Sequence, residues 1–255
     1  MVTEHPVFIS PENINIKIWK YMNVTKFVWL LRNNALYFAR ADKLGDPFEG
    51  SRAELDTKIL LHPANEFVDV STIPAQMQHQ LPEFRKNRLQ NVFINCWHMN
   101  DCESAAMWTL YGNNNPSGAI CIQSTFNKLQ SVLPNHTENP KGTLFVGQVK
   151  YIDYTQTTYT DNLQYDANEL RLFVHKRKSY EHEKEVRAVV DIGLPEGSTN
   201  TTGLSVPVSI KELIENVYVS PNASEEFFYI VRSVIDKQNL DLKLTKSDLD
   251  KNPLY

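Results

Sequence analysis

The chain has 255 residues, 42% hydrophobic and 11% aromatic, enough apolar material for one large domain or two small ones. A formal net charge of -4 gives no global field drawing the protein to nucleic acid or an anionic membrane, and so argues against both as partners. Cys96, Cys102 and Cys121 are too few and odd in number for a disulfide framework, which points to a reducing compartment.

The first residues, MVTEHPVFISPENI, lack the basic and apolar regions of a secretory leader, and no apolar run reaches the ~20 residues of a bilayer span. A cytoplasmic protein is expected. Residues 1–13 read as a loose arm broken by Pro6 and Pro11. Ile14 to Tyr21 alternates apolar and polar with period two, a half-buried strand. Asn23 or Thr25 then caps the short helix KFVWLLRN, and ALYFARA from Ala35 is a second strand. The turn DKLGDPFEGSR follows, with Asp46-Pro47 fixing its geometry. From Ser51 to Gln90 the pattern is helical but interrupted by Pro63, Pro74 and Pro82, which predicts two or three helices forming a cover over 51–90.

Asn91 to Trp97 is a strand, and Glu103 or Ser104 opens a helix ending at Gly112. Gly118 to Ile122 is a strand, and Ser124 or Thr125 caps the helix FNKLQSVL. Thr143 to Asp153 is a long strand, followed by a polar, tyrosine-rich loop and a helix ending near Phe173. Glu183 to Ile192 is strand-like and leads into the turn PEGSTNTTG. Strands at 204–208, 216–220 and 240–245 alternate with a short helix, SIKELIE, and a strongly amphipathic one from Ala223 to Lys237. No repeat and no linker divides the chain. The expected fold is α+β: a single domain over 1–255, with a mixed, mainly antiparallel sheet and helices packed around it.

Two stretches carry chemistry. Cys96, Trp97, His98, Asn100, Asp101, Cys102, Glu103 and Ser104 crowd polar groups beside Trp97 and Trp108, as one wall of a pocket would. Trp108 and Tyr111 on the following helix have polar tips that need partners if buried. The loop GNNNPSG suits unusual backbone angles and offers backbone N–H groups to an anion. Cys96, His98 and Cys102 match no common paired-ligand zinc spacing, so no metal site is expected. The second stretch is FVHKRKSYEHEKEVR, a basic cluster at His175 to Lys178 followed by Glu183, Glu185 and Arg187. If residues 183–187 are extended, those last three project from one face. Read functionally, Arg187 holds one carboxylate and leaves the other to act on a ligand; read structurally, the face is an exposed ladder of alternating charge. Asp46 or Glu49 is a pocket carboxylate on one reading, and part of a rigid turn with Phe48 in the core on the other.

These residues resemble the family called domain of unknown function (DUF) 2971. The resemblance runs from Ile18 to Leu249 and rests on Trp19-Lys20-Tyr21, Leu36-Tyr37-Phe38, Asp46-Pro47-Phe48-Glu49 and Cys96-Trp97. It continues in Glu103-Ser104, Met107-Trp108, Tyr111, Gly118, Lys176-Arg177 and Glu183-x-Glu185-x-Arg187. It implies a bacterial cytosolic protein. The layout is also similar to ADP-ribosyltransferases, with Tyr21 or Lys20 on an early strand, Trp97 or His98 on a middle one and Glu183 or Glu185 on a late one. That likeness implies a nucleotide- or NAD-using transferase or hydrolase in which Glu185 or Glu183 is catalytic. Lys176, Arg177 and Arg187 would hold an anionic group, with Tyr21, Lys20, Asp46, Trp97, His98, Glu103, Trp108 and Tyr111 as further ligand contacts. The alternative is a non-catalytic module binding a ligand or a protein partner in a bacterial defence or stress system.

Overall fold

The computed structural model describes residues 2–54, 59–61, 67–69, 71, 74–112, 118–138, 140–156, 169–193, 201–251 and 253. In chain order the first elements are β1 (Lys17–Met22), α1 (Val24–Asn33), β2 (Ala35–Arg40), β3 (Ile59–Leu61), β4 (Phe67–Asp69) and α2 (Ala75–Gln90). Then come β5 (Val92–Met99), α3 (Ala105–Gly112), β6 (Ile120–Thr125), α4 (Phe126–Val132), β7 (His136–Glu138), β8 (Lys141–Gln148) and β9 (Lys150–Ile152). The remainder is β10 (His175–Arg177), β11 (Glu185–Asp191), β12 (Gly203–Pro207), α5 (Ile210–Leu213), β13 (Asn216–Val219), α6 (Glu225–Lys237) and β14 (Leu244–Lys246).

The main sheet runs β14-β13-β6-β1-β5-β11-β8-β7, with β2 and β12 branching from β5. Its pairings are antiparallel except β13 with β14, so the expected mixed, mainly antiparallel architecture holds, with helices on both faces.

Capping follows the sequence closely. Asn23 accepts from the Lys26 amide at the start of α1, Thr125 from Lys128 at α4, and Ser224 from Phe227 at α6. The apolar stripes of α1, α4 and α6 bury Phe27, Leu30, Phe126, Leu129, Val231 and Ile235 against one sheet face. That face also carries Ile18, Phe93, Trp97, Val186 and Ala188. On the opposite face the core is split. One cluster gathers Val92, Ile94, Phe145, Phe173 and Val189, and the other Trp19, Tyr21, Met107, Trp108 and Cys121. Between these two, Cys96, His98, Glu185 and Arg187 form a polar strip on neighbouring strands.

Three expectations change. Over 51–90 the described residues form a strand pair, β3 with β4, and one helix, α2, which carries Pro82 within it. The N-terminal arm is not loose: Phe8 is buried and stacks on Phe145 at 5.0 Å, and Ile9 O accepts from the Gln148 amide. Phe48 is not a core plug, being 39% exposed and set edge-on to Tyr154. The expected anion-binding loop at 113–117, most of the tyrosine-rich loop and most of the turn PEGSTNTTG lie outside the described residues.

Gly147 marks how closely the arm approaches. A Cβ there would lie 2.7 Å from Phe8 Cα and 2.8 Å from its carbonyl carbon, both backbone atoms that cannot swing away. Gly147→Ala is therefore expected to lift the arm and cost about 1–3 kcal/mol. Limited proteolysis should then cut residues 1–13 sooner than in the wild type; an unchanged cleavage rate and thermal midpoint would show that the arm does not pack on β8.

Candidate active site in a split sheet

Strand β5 has two partners on one edge. At its start Phe93 and Ile94 pair with Arg40 and Ala39 of β2; at its end His98 and Met99 pair with Trp19 and Ile18 of β1. Between these registers β1 and β2 diverge, and Asn95, Cys96 and Trp97 have no ladder partner on that edge. Exposed backbone polar groups in such a gap need other partners. Lys20 provides one, donating to the Cys96 carbonyl at 2.8 Å and to Asn95 Oδ1 at 3.3 Å, while Asn95 Nδ2 donates to the Tyr37 carbonyl at 2.7 Å. A cavity of about 610 Å³ occupies the wedge and opens toward both sheet faces. That volume lies within the range of small-molecule sites.

On the α3 side the wall is charged. Lys176 Nζ donates to Glu183 at 2.6 Å and to Glu185 at 2.7 Å, which brings both carboxylates to one ammonium. Arg187, 1% exposed, donates through Nε to Glu185 at 2.6 Å and through its two terminal nitrogens to Glu49 at 2.6 and 2.9 Å. It also donates to the Phe173 carbonyl at 2.8 Å. The paired, bidentate arrangement is what allows such charges to be buried at all.

The two glutamates are driven in opposite directions. Burial, and then the neighbouring Glu185 carboxyl, push Glu183 up to about 7. Burial also opposes ionisation of Glu185, but Arg187 and the Lys176 and Glu183 contacts outweigh it and hold that carboxyl well below the usual range. One carboxyl is therefore fixed as an anion while its neighbour exchanges a proton near neutrality.

His98 lies opposite Glu185 in the β5–β11 ladder. Its Nδ1 is 2.6 Å from the Glu183 carbonyl oxygen, which can only accept, so Nδ1 carries the hydrogen and Nε2 presents a lone pair. Nε2 is buried without a partner among the described residues, and burial lowers the imidazole pKa, keeping the ring neutral at pH 7.

The sequence-derived candidates divide accordingly. Lys20, Tyr21, Asp46, Trp97, His98, Tyr111, Lys176, Glu183, Glu185 and Arg187 all line the cavity. Glu103 and Trp108 do not: Trp108 Nε1 donates to Glu103 at 2.7 Å, and the ring packs edge-on against Tyr21, fixing α3 to the sheet. The Tyr21 hydroxyl accepts from the Ser104 amide for the same purpose. Arg177 pairs with Asp46 at 2.9 Å and lies over Phe48, outside the lining. Lys176, Arg177 and Arg187, expected to hold an anion, are each engaged by carboxylates of this chain.

Glu183 departs from the expected strand face. Lys184 adopts a left-handed backbone with φ of 41°, so Glu183 ends a 3-10 turn and reaches Lys176 from outside the strand. Burial raises the Cys96 thiol to about 12, which leaves it protonated and no nucleophile at neutral pH. Among the described residues no group of three His, Cys, Asp or Glu side chains is arranged to hold a metal. Also among them, no helix is long and apolar enough to cross a membrane. Lining residues missed in the sequence include Thr25, Lys26, Trp29, Tyr37 and Asn95. Tyr37 and Asn95 were legible only as strand positions, since nothing local signals that β1 and β2 part around them.

The fold and the cleft together define a split mixed sheet carrying an ionisable cavity. No family model matches the chain, and no curated protein does, so the DUF 2971 resemblance stands on its quoted residues alone. Among solved structures, the chain is distantly similar to Thermus sp. 2.9 DarT in complex with ADP-ribosylated ssDNA. The TM-score is 0.40 at 10% identity, covering 94% of this chain and 96% of that one. The same protein in complex with NAD+ aligns with a TM-score of 0.39 at 10% identity, covering 93% and 97%. Its complex with carba-NAD+ gives 0.39 at 9%, covering 92% and 96%. The exclusion of nucleic acid, drawn from net charge alone, is withdrawn: the first of these similar chains is solved with ssDNA bound.

Proposed function

We propose that the cleft is the active site of a transferase or hydrolase that uses a nucleotide of the NAD type. The observation that carries this reading is the carboxylate pair on one lysine, with Glu183 raised to about 7 and Glu185 held ionised. Paired groups driven apart in this way suit acid–base chemistry. In ADP-ribosyl transfer the bond from ribose to nicotinamide breaks and its electron pair leaves with the nicotinamide. The acceptor O–H or N–H adds to the same ribose carbon, and its proton passes to Glu183. Glu185 stays an anion beside the positive charge that develops on the sugar, and His98 Nε2 accepts from a ligand hydroxyl or amide.

Incubating the protein with NAD and common nucleotides, then weighing both small molecules and protein by mass spectrometry, tests this directly. Released nicotinamide or a mass gain on an acceptor is the expected result. A thermal shift without any product would replace the enzyme with a binding module, and neither shift nor product would remove both readings.

A further inference from the structure

The cavity does not end at the glutamates. It continues through the split to the other sheet face, where Lys20, Thr25, Lys26, Trp29, Tyr37 and Trp97 line it. The two mouths differ in charge. The four lining carboxylates, Asp46, Glu49, Glu183 and Glu185, are all paired with Arg177, Arg187 or Lys176. Lys20 and Lys26 are the lining cations with no carboxylate partner among the described residues.

Three further facts bear on this mouth. Trp97 is 1% exposed, yet its indole N–H has no partner among the described residues, an arrangement that costs free energy unless something accepts from it. Thr25 and Lys26 belong to the first turn of α1, a ten-residue helix whose N-terminal end carries partial positive charge. Lys20 lies over the Trp97 ring at 5.5 Å, and burial followed by the nearby Lys26 lowers its pKa to about 8, while Cys96 and Glu185 partly offset this. A bound anion faces the helix end and neutralises two lysines that repel each other; a small shift of the Trp97 ring, whose N–H is sealed from solvent, lets it accept from the indole as well. Trp29 and Tyr37, packed edge-to-face at 5.7 Å, form an aromatic rim beside them that suits a planar base.

We infer that the α1 mouth is a phosphate subsite for the diphosphate of a nucleotide, formed by Trp97 Nε1, Lys20, Lys26 and the start of α1. The ligand then threads the sheet, with its phosphates on the α1 side and its reacting end beside Glu183. This rests on the nucleotide reading of the cleft but not on its chemistry, so the two fail separately.

The test is binding of ADP and of inorganic pyrophosphate, measured by calorimetry with the full chain. Lys26 is exposed, so Lys26→Gln leaves the fold intact and is expected to weaken ADP about tenfold. Trp97→Phe removes the N–H together with the five-membered ring, which leaves a small void in the core, and where it folds it should weaken ADP by a similar factor. Glu183→Gln, on the far side, should bind ADP as the wild type does. Affinity should also fall with added salt, and less steeply in Lys26→Gln. ADP affinity unchanged in Lys26→Gln and in a folded Trp97→Phe overturns the subsite, as does no ADP binding by the wild type. Lys26-dependent ADP binding with no turnover of NAD keeps the subsite and discards the proposed reaction.

Discussion

Glu183→Gln is expected to lower turnover by about 10²- to 10⁴-fold, the range for loss of a general acid–base group, while the protein still folds. Gln keeps the size and an oxygen to accept from Lys176, which retains Glu185 as its ionic partner. Because Glu183 titrates near 7, wild-type activity should rise as pH passes that value and the base form accumulates; the variant's residual rate should lack this limb. Stability must show the same group with the opposite sense. Between about 4.5 and 7 the folded protein holds a proton that the unfolded chain has released, so this contribution falls as pH rises. Glu185 acts the other way, stabilising above the ordinary carboxylate range and losing that contribution as pH falls. A pH–rate limb near 7 that survives in Glu183→Gln would assign the titration to another group. Glu185→Gln separates less cleanly, because it leaves both Arg187 and Lys176 short of an anion and so lowers stability along with any activity.

The strands were legible either as period-two alternation, as in Ile14 to Tyr21, or as a short apolar run where both faces are buried, as in Ala188 to Val190 of β11. Caps at Asn23 and Thr125 were legible for a local reason, that a short polar side chain satisfies a helix-start N–H within three residues; Ser224 caps α6 in the same way, although the helix was expected to start at Ala223. The site was legible only in part. That Glu183, Glu185 and Arg187 belong together could be read from their spacing, although Glu183 arrives by the left-handed turn at Lys184 and not along the strand. That Glu49 grips Arg187 from 138 positions away could not, since no local pattern records a long-range ion pair. The same holds for the split itself. Ala39 pairs with Ile94 and Trp19 with His98, but the divergence between those registers depends on where the chain goes after each strand. Of the helical cover expected over 51–90, α2 is present and runs through Pro82, whereas 59–61 pair with 67–69 as strands, which no clear period in that stretch records.

Arg187→Met should be the most damaging single change to stability. The side chain is 1% exposed and hydrogen-bonds to both Glu49 and Glu185. Removing one member of such a buried set costs on the order of 3–5 kcal/mol, chiefly because the remaining charges are left unpaired in a dry place. For a chain of this size each kcal/mol moves the midpoint by roughly 2–4 °C, so a fall of roughly 6–20 °C is expected. The loss should not fall equally on the two glutamates. Glu185 still has Lys176, whereas Glu49 is 7% exposed and loses its bidentate partner. Without Arg187, burial acts on Glu49 against the weaker pull of Lys176 alone and favours its protonated form more than in the wild type, so the variant should gain more stability than the wild type as pH drops toward 5. Adding Glu49→Leu to Arg187→Met should recover part of the loss at neutral pH, because an apolar pair of similar bulk needs no partner. A midpoint within 2 °C of the wild type for Arg187→Met, or a double variant no more stable than the single, would mean that the ion network does not hold this side of the cleft together.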